Sequence, residues 1–385
     1  MALLVTLLTV VLVLNIIFAI TVVFFERRNP TAAVAWLMVL FFLPPIGFLF
    51  YLIFGQNYTR QKMFVIKEEE DRQYLQETLL GQYRELSERT YRFTTPEAEE
   101  FRETIFLFLR NSRAHLTGRN QVDIYTRGEE KFDALFAAIS GARQHIHIEY
   151  YIINNDDLGR RLIRALAEKA REGVEVRLLF DAVGTRNWGR SRRAFSELTH
   201  AGGEVGAFFP SFYRVNYRNH RKIAIIDGAV GFIGGFNIGD EYLGKGPLGP
   251  WRDTALRIAG RGVHLLQLRF FLDWHYVTGE YPGPAPRPHY FPDPGTPGST
   301  PIQIVSGGPD TRWNPIKEGY IKLINSARES VYIQTPYFVP DDSVADALRI
   351  AALSGVDVRV MIPCKPDPPF VYWASLSFIG DLLDA

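Results

Sequence analysis

The sequence predicts an α/β protein in which a mixed or parallel sheet, covered by helices on both faces, stands behind a hairpin of two transmembrane helices. Three observations carry this. Two long apolar segments open the chain, at 2–25 and 31–54. From about residue 101 onward, strand patterns alternate with helix patterns, which favours a layered sheet over a helical bundle. The strand, helix, strand order then recurs. ARQHIHIEYYI (142–152) is echoed by ARESVYIQTPY (327–337) at an offset of 185 residues, and GVEVRLLF (173–180) by GVDVRVMI (355–362) at an offset of 182.

The elements follow in chain order. Residues 2–25 hold no charged side chain, and as a helix they would span roughly 36 Å at about 1.5 Å per residue, enough for the hydrocarbon core. A cleaved signal peptide is the other reading of such a segment, but the basic n-region is missing and the apolar run is too long. Residues 31–54 repeat the feature, with Pro44 and Pro45 as the expected kink. ERRNP (26–30) leaves room only for a tight loop between them. Arg27 and Arg28 lie in that loop, whereas Arg60, Lys62, Lys67 and Arg72 follow the second span. Positive charge favours the cytoplasmic side, so the expectation is a multi-pass protein of the cell inner (plasma) membrane with its catalytic region in the cytoplasm. Residues 1–55 therefore read as an anchor and 56–100 as a charged helical linker with a solvated face. In the first soluble domain, 101–279, residues 132–140 have helical apolar spacing, 145–153 alternate as a strand, 158–172 form a helix and 174–180 a buried strand. EYPGPAPRPHYFPDPGTPGST (280–300) is too rich in Pro and Gly for a helix or a central strand. It reads as the connection to a second, incomplete copy at 301–385.

Composition narrows the function. The formal net charge is +1, so the global basic field of a nucleic-acid binder is missing and no nucleic-acid partner is expected. The one cysteine, Cys364, rules out an intrachain disulfide framework and reads as a buried free thiol. Nothing in the sequence resembles a zinc site or a carboxylate-metal cluster.

The chemistry concentrates in NHRKIAIIDGAVGFIGGFNIGDEY (219–242). An imidazole is a competent nucleophile or general acid near neutral pH. Lys222, two residues beyond His220, shares its face if the segment is a strand, so an ammonium would sit beside a phosphate that His220 attacks. KIAII before Asp227 is apolar and β-branched, as a buried strand requires. Gly234 and Gly235 suggest a tight turn bringing backbone N–H groups to an anion, and Asn237 adds a neutral donor. An isolated HxK is equally a core histidine beside a surface lysine; the whole spacing, HxKx4Dx6GGxN, turns the reading toward function.

That spacing resembles the signature of the phospholipase D superfamily. The order of membrane hairpin, EYYI, LLFDAVG, NHRKIAIIDG, GFIGGFN, WRDTALRIAG and IQTPYFVPDD narrows the resemblance to the bacterial cardiolipin synthases of that type, over nearly the whole chain. The resemblance implies a phospholipase D-like mixed-sheet α/β/α domain and a phosphatidyl transfer between two phosphatidylglycerol molecules, through a phosphohistidine and without metal or cofactor. It implies phosphatidylglycerol and other anionic phospholipids as partners, together with the membrane. By residue, it implies that His220 is nucleophile or acid, that Lys222 and Asn237 hold phosphate, that Asp227 completes the motif mainly as support, and that the carboxylate of Asp253 (in WRDTALRI) orients the His220 ring. Glu149 either lines the substrate groove or is a buried partner for an arginine. Asp181 ends a strand where α/β sites collect, and His145 with His147 reads as structural.

The superfamily normally carries two HxK motifs, and this sequence has one, with no histidine after His289. The repeat offset would put a partner near position 402. The expectation is a truncated synthase; the other readings are a homodimer pairing two single motifs, as a phosphodiesterase, and a non-catalytic lipid-binding membrane protein.

Overall fold

The computed structural model describes residues 30–43, 79–185, 195–208, 218–280, 288–308, 313–365 and 369–385, with Thr311 and scattered residues of the first 50. Helix α1 is Pro30–Phe42. Among the described residues no helix is long and apolar enough to cross a membrane. Most of the expected hairpin and much of the charged linker lie outside the described residues; 79–87 of the linker is helical.

Eight strands form one sheet: β1 (Thr117–Tyr125), β2 (His145–Tyr150), β3 (Glu175–Asp181), β4 (Glu204–Phe208), β5 (Lys222–Ile226), β6 (Val230–Gly234), β7 (Ala255–Ala259) and β8 (Thr300–Ile302). Their order is β4-β3-β2-β5-β6-β7-β1-β8. Strands β2, β3 and β4 are parallel, and every pairing from β2–β5 across to β8 is antiparallel, so the sheet is mixed. Helix α2 (Arg102–Ser112) precedes β1, and α3 (Gly128–Gly141) and α4 (Asp157–Arg171) follow β1 and β2. In α4 the buried Leu158, Leu162, Ile163, Leu166 and Ala167 form one stripe at helical spacing. Asp156 caps its start by accepting from Gly159 N at 2.9 Å. This stripe and Leu135 and Ile139 of α3 pack on Ile146, Ile148, Leu178, Ala224 and Ile226 of the sheet. The opposite face, with Leu179, Ile223, Ile225 and Ile258, is covered by Leu266, Phe270 and Trp274 of α5 (Gly262–Thr278).

Central strands β2 and β5 are therefore buried on both faces along their whole length. The polar/apolar alternation of 145–153 does not separate interior from solvent; it separates two interiors. His145, His147 and Glu149 face the α5 layer, where His145 Nε2 lies 3.1 Å from Gln267 Oε1 and His147 Nε2 lies 3.0 Å from Glu175 Oε1. Both histidines are structural here, locked between strand and helix by hydrogen bonds that a dry interior makes obligatory.

Beyond the connection, α6 (Pro315–Ser326), β9 (Ser330–Gln334), α7 (Asp342–Leu353) and β10 (Asp357–Met361) form a second unit, whose two strands make a separate parallel sheet. Its register, Ser330 opposite Asp357 through Gln334 opposite Met361, reproduces His145 opposite Glu175 through Glu149 opposite Leu179 at the two sequence offsets. The repeat is thus one of backbone pairing as well as of letters. Strand β8, just after the connection, pairs with β1 and so belongs to the first sheet. Cys364, expected inside, is exposed in the loop after β10.

Candidate active site

Strand β5 builds the site by alternation. Lys222 opens the strand opposite Tyr150 of β2, and its neighbours on that face, Ala224 and Ile226, belong to the α4 side. His220 comes two residues earlier and meets it directly. Lys222 Nζ lies 3.1 Å from His220 Nδ1 and 3.2 Å from Nε2, and donates to the His220 carbonyl at 2.9 Å. The ring of Tyr151 packs on the imidazole with centroids 4.5 Å apart, and the same ring centre is 5.2 Å from Lys222 Nζ.

The residues interleaved with these two are tied to acids elsewhere. Asn219 N and Arg218 Nη1 donate to Asp181 at 3.0 and 3.1 Å, and the same carboxylate takes Val183 N and Gly184 N. Asn219 Nδ2 donates to Glu149 Oε1 at 2.5 Å, and Arg221 Nη1 is 3.2 Å from Asp273 Oδ2. Three acids thus hold the backbone around His220 while the imidazole is exposed and Lys222 is buried at its base. Partial desolvation, with Tyr151 packed on one side of the ring, and the adjacent Lys222 charge, opposed by Asp181, push the His220 pKa down to about 4. Burial lowers Lys222 to about 7 against the attraction of Asp253. At neutral pH the imidazole is therefore unprotonated and carries a free lone pair.

Several expected site residues sit elsewhere or do other work. Asp227 lies at the far end of β5 from Lys222, about 17 Å away at strand rise, in the β5–β6 turn with φ 54°. It accepts from Arg143, Gln144 and His145 N at 2.8–2.9 Å, so it stitches β5 to the start of β2 and does not reach the reaction centre. Glu149 stands opposite Ile223 and points away from the Lys222 face. It is 1 % exposed, with burial, the charge of Asp273 and the opposing charges of Arg221 and Arg269 leaving its pKa at about 8. Its hydrogen-bond partner is Asn219 and not an arginine, with Arg221 and Arg269 acting on it only through their charge.

The glycine pair is not a left-handed turn. Gly234 ends β6 in register with Ala255, and Gly235 N donates to Thr254 O at 2.9 Å. A Cβ on Gly234 would come within 2.4 Å of Thr254 O, and one on Gly235 within 2.0 Å of Asp253 Oδ1. Glycine is needed there for close approach to β7 and the residues just before it, and the Gly235 N–H is already taken by Thr254 O. Asn237 is 7 % exposed; its Oδ1 accepts from Ile152 N at 3.2 Å and its Nδ2 donates to Tyr242 Oη at 3.1 Å, which leaves one amide hydrogen for a ligand. Asp253 accepts from Thr254 N at 2.7 Å and acts electrostatically on Lys222. Asp181 acts electrostatically on His220.

Sequence reasoning passed over Tyr151 and Asn219. The signal for Asn219 was its place beside the motif histidine in the alternation. Nothing in EYYI alone separates Tyr150, buried in the α3–α4 layer, from Tyr151 on the imidazole.

A neutral histidine paired with a lysine at the start of a central strand of a mixed α/β sheet defines a phospholipase D-like phosphotransfer domain. Family models agree: one described as cardiolipin synthase, phospholipase D-like domain, matches residues 135–245 and 320–385, and one described as phospholipase D-nuclease N-terminal matches 13–56. The chain is 48% identical over 391 residues to the major cardiolipin synthase ClsA of Bacillus subtilis (strain 168), covering 98% of this chain and 79% of that one. It is 47% identical over 390 residues to the cardiolipin synthase of Listeria monocytogenes serotype 4a (strain HCC23), covering 100% and 80%. Among solved structures, phosphatidylserine synthase of Haemophilus influenzae Rd KW20 matches with TM-score 0.47 and 13% identity over 63% of this chain and 61% of that one. The chain belongs to the cardiolipin synthase family of the phospholipase D superfamily.

Proposed function

We propose that this protein transfers a phosphatidyl group from one phosphatidylglycerol to another, giving cardiolipin and glycerol, with His220 as the nucleophile. One observation carries the assignment of His220: its imidazole is held unprotonated with the Lys222 ammonium 3.1–3.2 Å from its ring nitrogens. A ring nitrogen attacks phosphorus, forming N–P while the P–O bond to glycerol breaks and the departing glycerol oxygen takes a proton from water. The headgroup hydroxyl of the second lipid then attacks, forming O–P while N–P breaks, and that hydroxyl returns one proton. The cycle is neutral in protons. Lys222 holds the non-bridging oxygens as negative charge builds, with the remaining Asn237 hydrogen as a second donor. Family membership and the apolar segments 2–25 and 31–54 support a membrane location, where both lipids are delivered.

The test is conversion of labelled phosphatidylglycerol by the purified chain in detergent micelles. Cardiolipin should accumulate with wild type, and His220→Ala should lose roughly 10³-fold or more of the rate, as removal of a covalent nucleophile does. Absence of product from wild type, or near-normal turnover by the variant, would overturn the proposal.

A further inference from the structure

The transfer consumes two lipids of like charge, and Lys222 accounts for one phosphodiester. Just before β7 the loop carries a second cation, Arg252. Its Nη1 donates to Gln334 Oε1 at 2.6 Å, and Gln334 is the last residue of β9, the position in the second copy that matches Glu149. Arg252 therefore joins the loop before β7 in the first copy to the end of β9 in the second. Asp253, next in the chain, stands against the motif, where a Cβ on Gly235 would come within 2.0 Å of its Oδ1, and it acts electrostatically on both Lys222 and Arg252. The loop is fixed against the motif: Trp251 packs edge-on against Tyr242 at 5.6 Å between centroids, and Tyr242 Oη accepts from Asn237. Gln334 occupies one N–H of a guanidinium that has five, arranged in a fork that suits a phosphate bidentately. From the placing of this loop beside the motif and against the second copy we infer that Arg252 binds the phosphodiester of the accepting lipid, while Lys222 binds that of the donor. The inference rests on the proposed transfer. It makes Arg252 a specificity-determining residue: without it the acceptor is held loosely, and water attacks the phosphohistidine instead, forming O–P and breaking N–P to give phosphatidic acid.

The experiment is calorimetric titration of the full chain in detergent with dihexanoylphosphatidylglycerol, in a His220→Ala background to prevent turnover. Two lipids should bind per chain. Arg252→Gln should weaken one of them at least 10-fold and leave the other, and Arg252→Lys should restore part of the loss. Undiminished two-site binding by Arg252→Gln would overturn the inference. Lys222→Ala should weaken the other site; if it does not while Arg252→Gln does, the donor assignment fails and the Arg252 site stands. Glycerol 3-phosphate binding at the Arg252 site as tightly as the lipid would make it a phosphate site only and overturn its reading as an acceptor-lipid site. With His220 intact, Arg252→Gln should raise the ratio of phosphatidic acid to cardiolipin several-fold, a change that a general loss of fold would not produce.

Discussion

At His220 the chemistry is decided by which neighbours keep the proton off the ring. With His220 depressed to about 4 and Lys222 to about 7, kcat/KM should trace a bell. It falls below about pH 4 as the nucleophile protonates and above about pH 7 as Lys222 loses the charge that meets the phosphate. A flat profile between pH 5 and 9 would contradict it. Because Asp253 pulls the Lys222 pKa upward, Asp253→Asn should move the basic limb to lower pH and leave the acid limb in place, read from the same profiles. His220 and Lys222 were legible because a spacing of two in a strand is a statement about faces. Glu149 was not, since a pattern of alternation does not say which of two buried faces carries the site.

Elements place these side chains by how closely they approach. Gly235→Ala would drive its Cβ into the Asp253 carboxylate, a side chain that can turn away from Lys222. It should reproduce the pH shift of Asp253→Asn with a stability loss of about 1–3 kcal/mol. Gly234→Ala meets backbone at Thr254 O and Ala255 Cα, so it should push β6 off β7 and lower the melting temperature further; equal melting of the two variants would contradict this. The strand signal of KIAII and the helix stripe of α4 were readable from period alone. The role of the glycines was not, because a short glycine pair reads as a turn until the neighbouring strand is known. Under the other sheet face, burial and the nearby His147 charge hold the His145 pKa at about 3. Burial raises that of Glu175, but the hydrogen bond from His147, the charge of Arg177 and the hydrogen bond from Tyr290 outweigh it and bring it to about 2. Both folded values are depressed, so the unfolded chain binds more protons as pH falls. Stability should drop through His145 from about pH 6.5 toward 3 and through Glu175 from about 4.5 toward 2. Thermal melts in detergent that do not change between pH 7 and 4 would refute it.

Across the whole molecule the two copies were visible as repeated letters, and their register matches at offsets of 185 and 182 residues because the helix between the strands has 15 residues in the first copy and 12 in the second. What letters could not show is the contact between copies, since Arg252 and Gln334 are 82 residues apart and belong to different repeats. The apolar segments 2–25 and 31–54 should keep the chain in the pellet on alkaline carbonate extraction, because such surface is costly to leave in water; release into the supernatant would contradict a membrane anchor. The account as a whole turns on a covalent intermediate. The most direct measurement is to incubate the chain with phosphatidylglycerol labelled at phosphorus, quench, digest and map the label. The account predicts an acid-labile, base-stable phosphoramidate on His220 that is absent from His220→Ala. Label at another residue, or undiminished labelling of that variant, would contradict it.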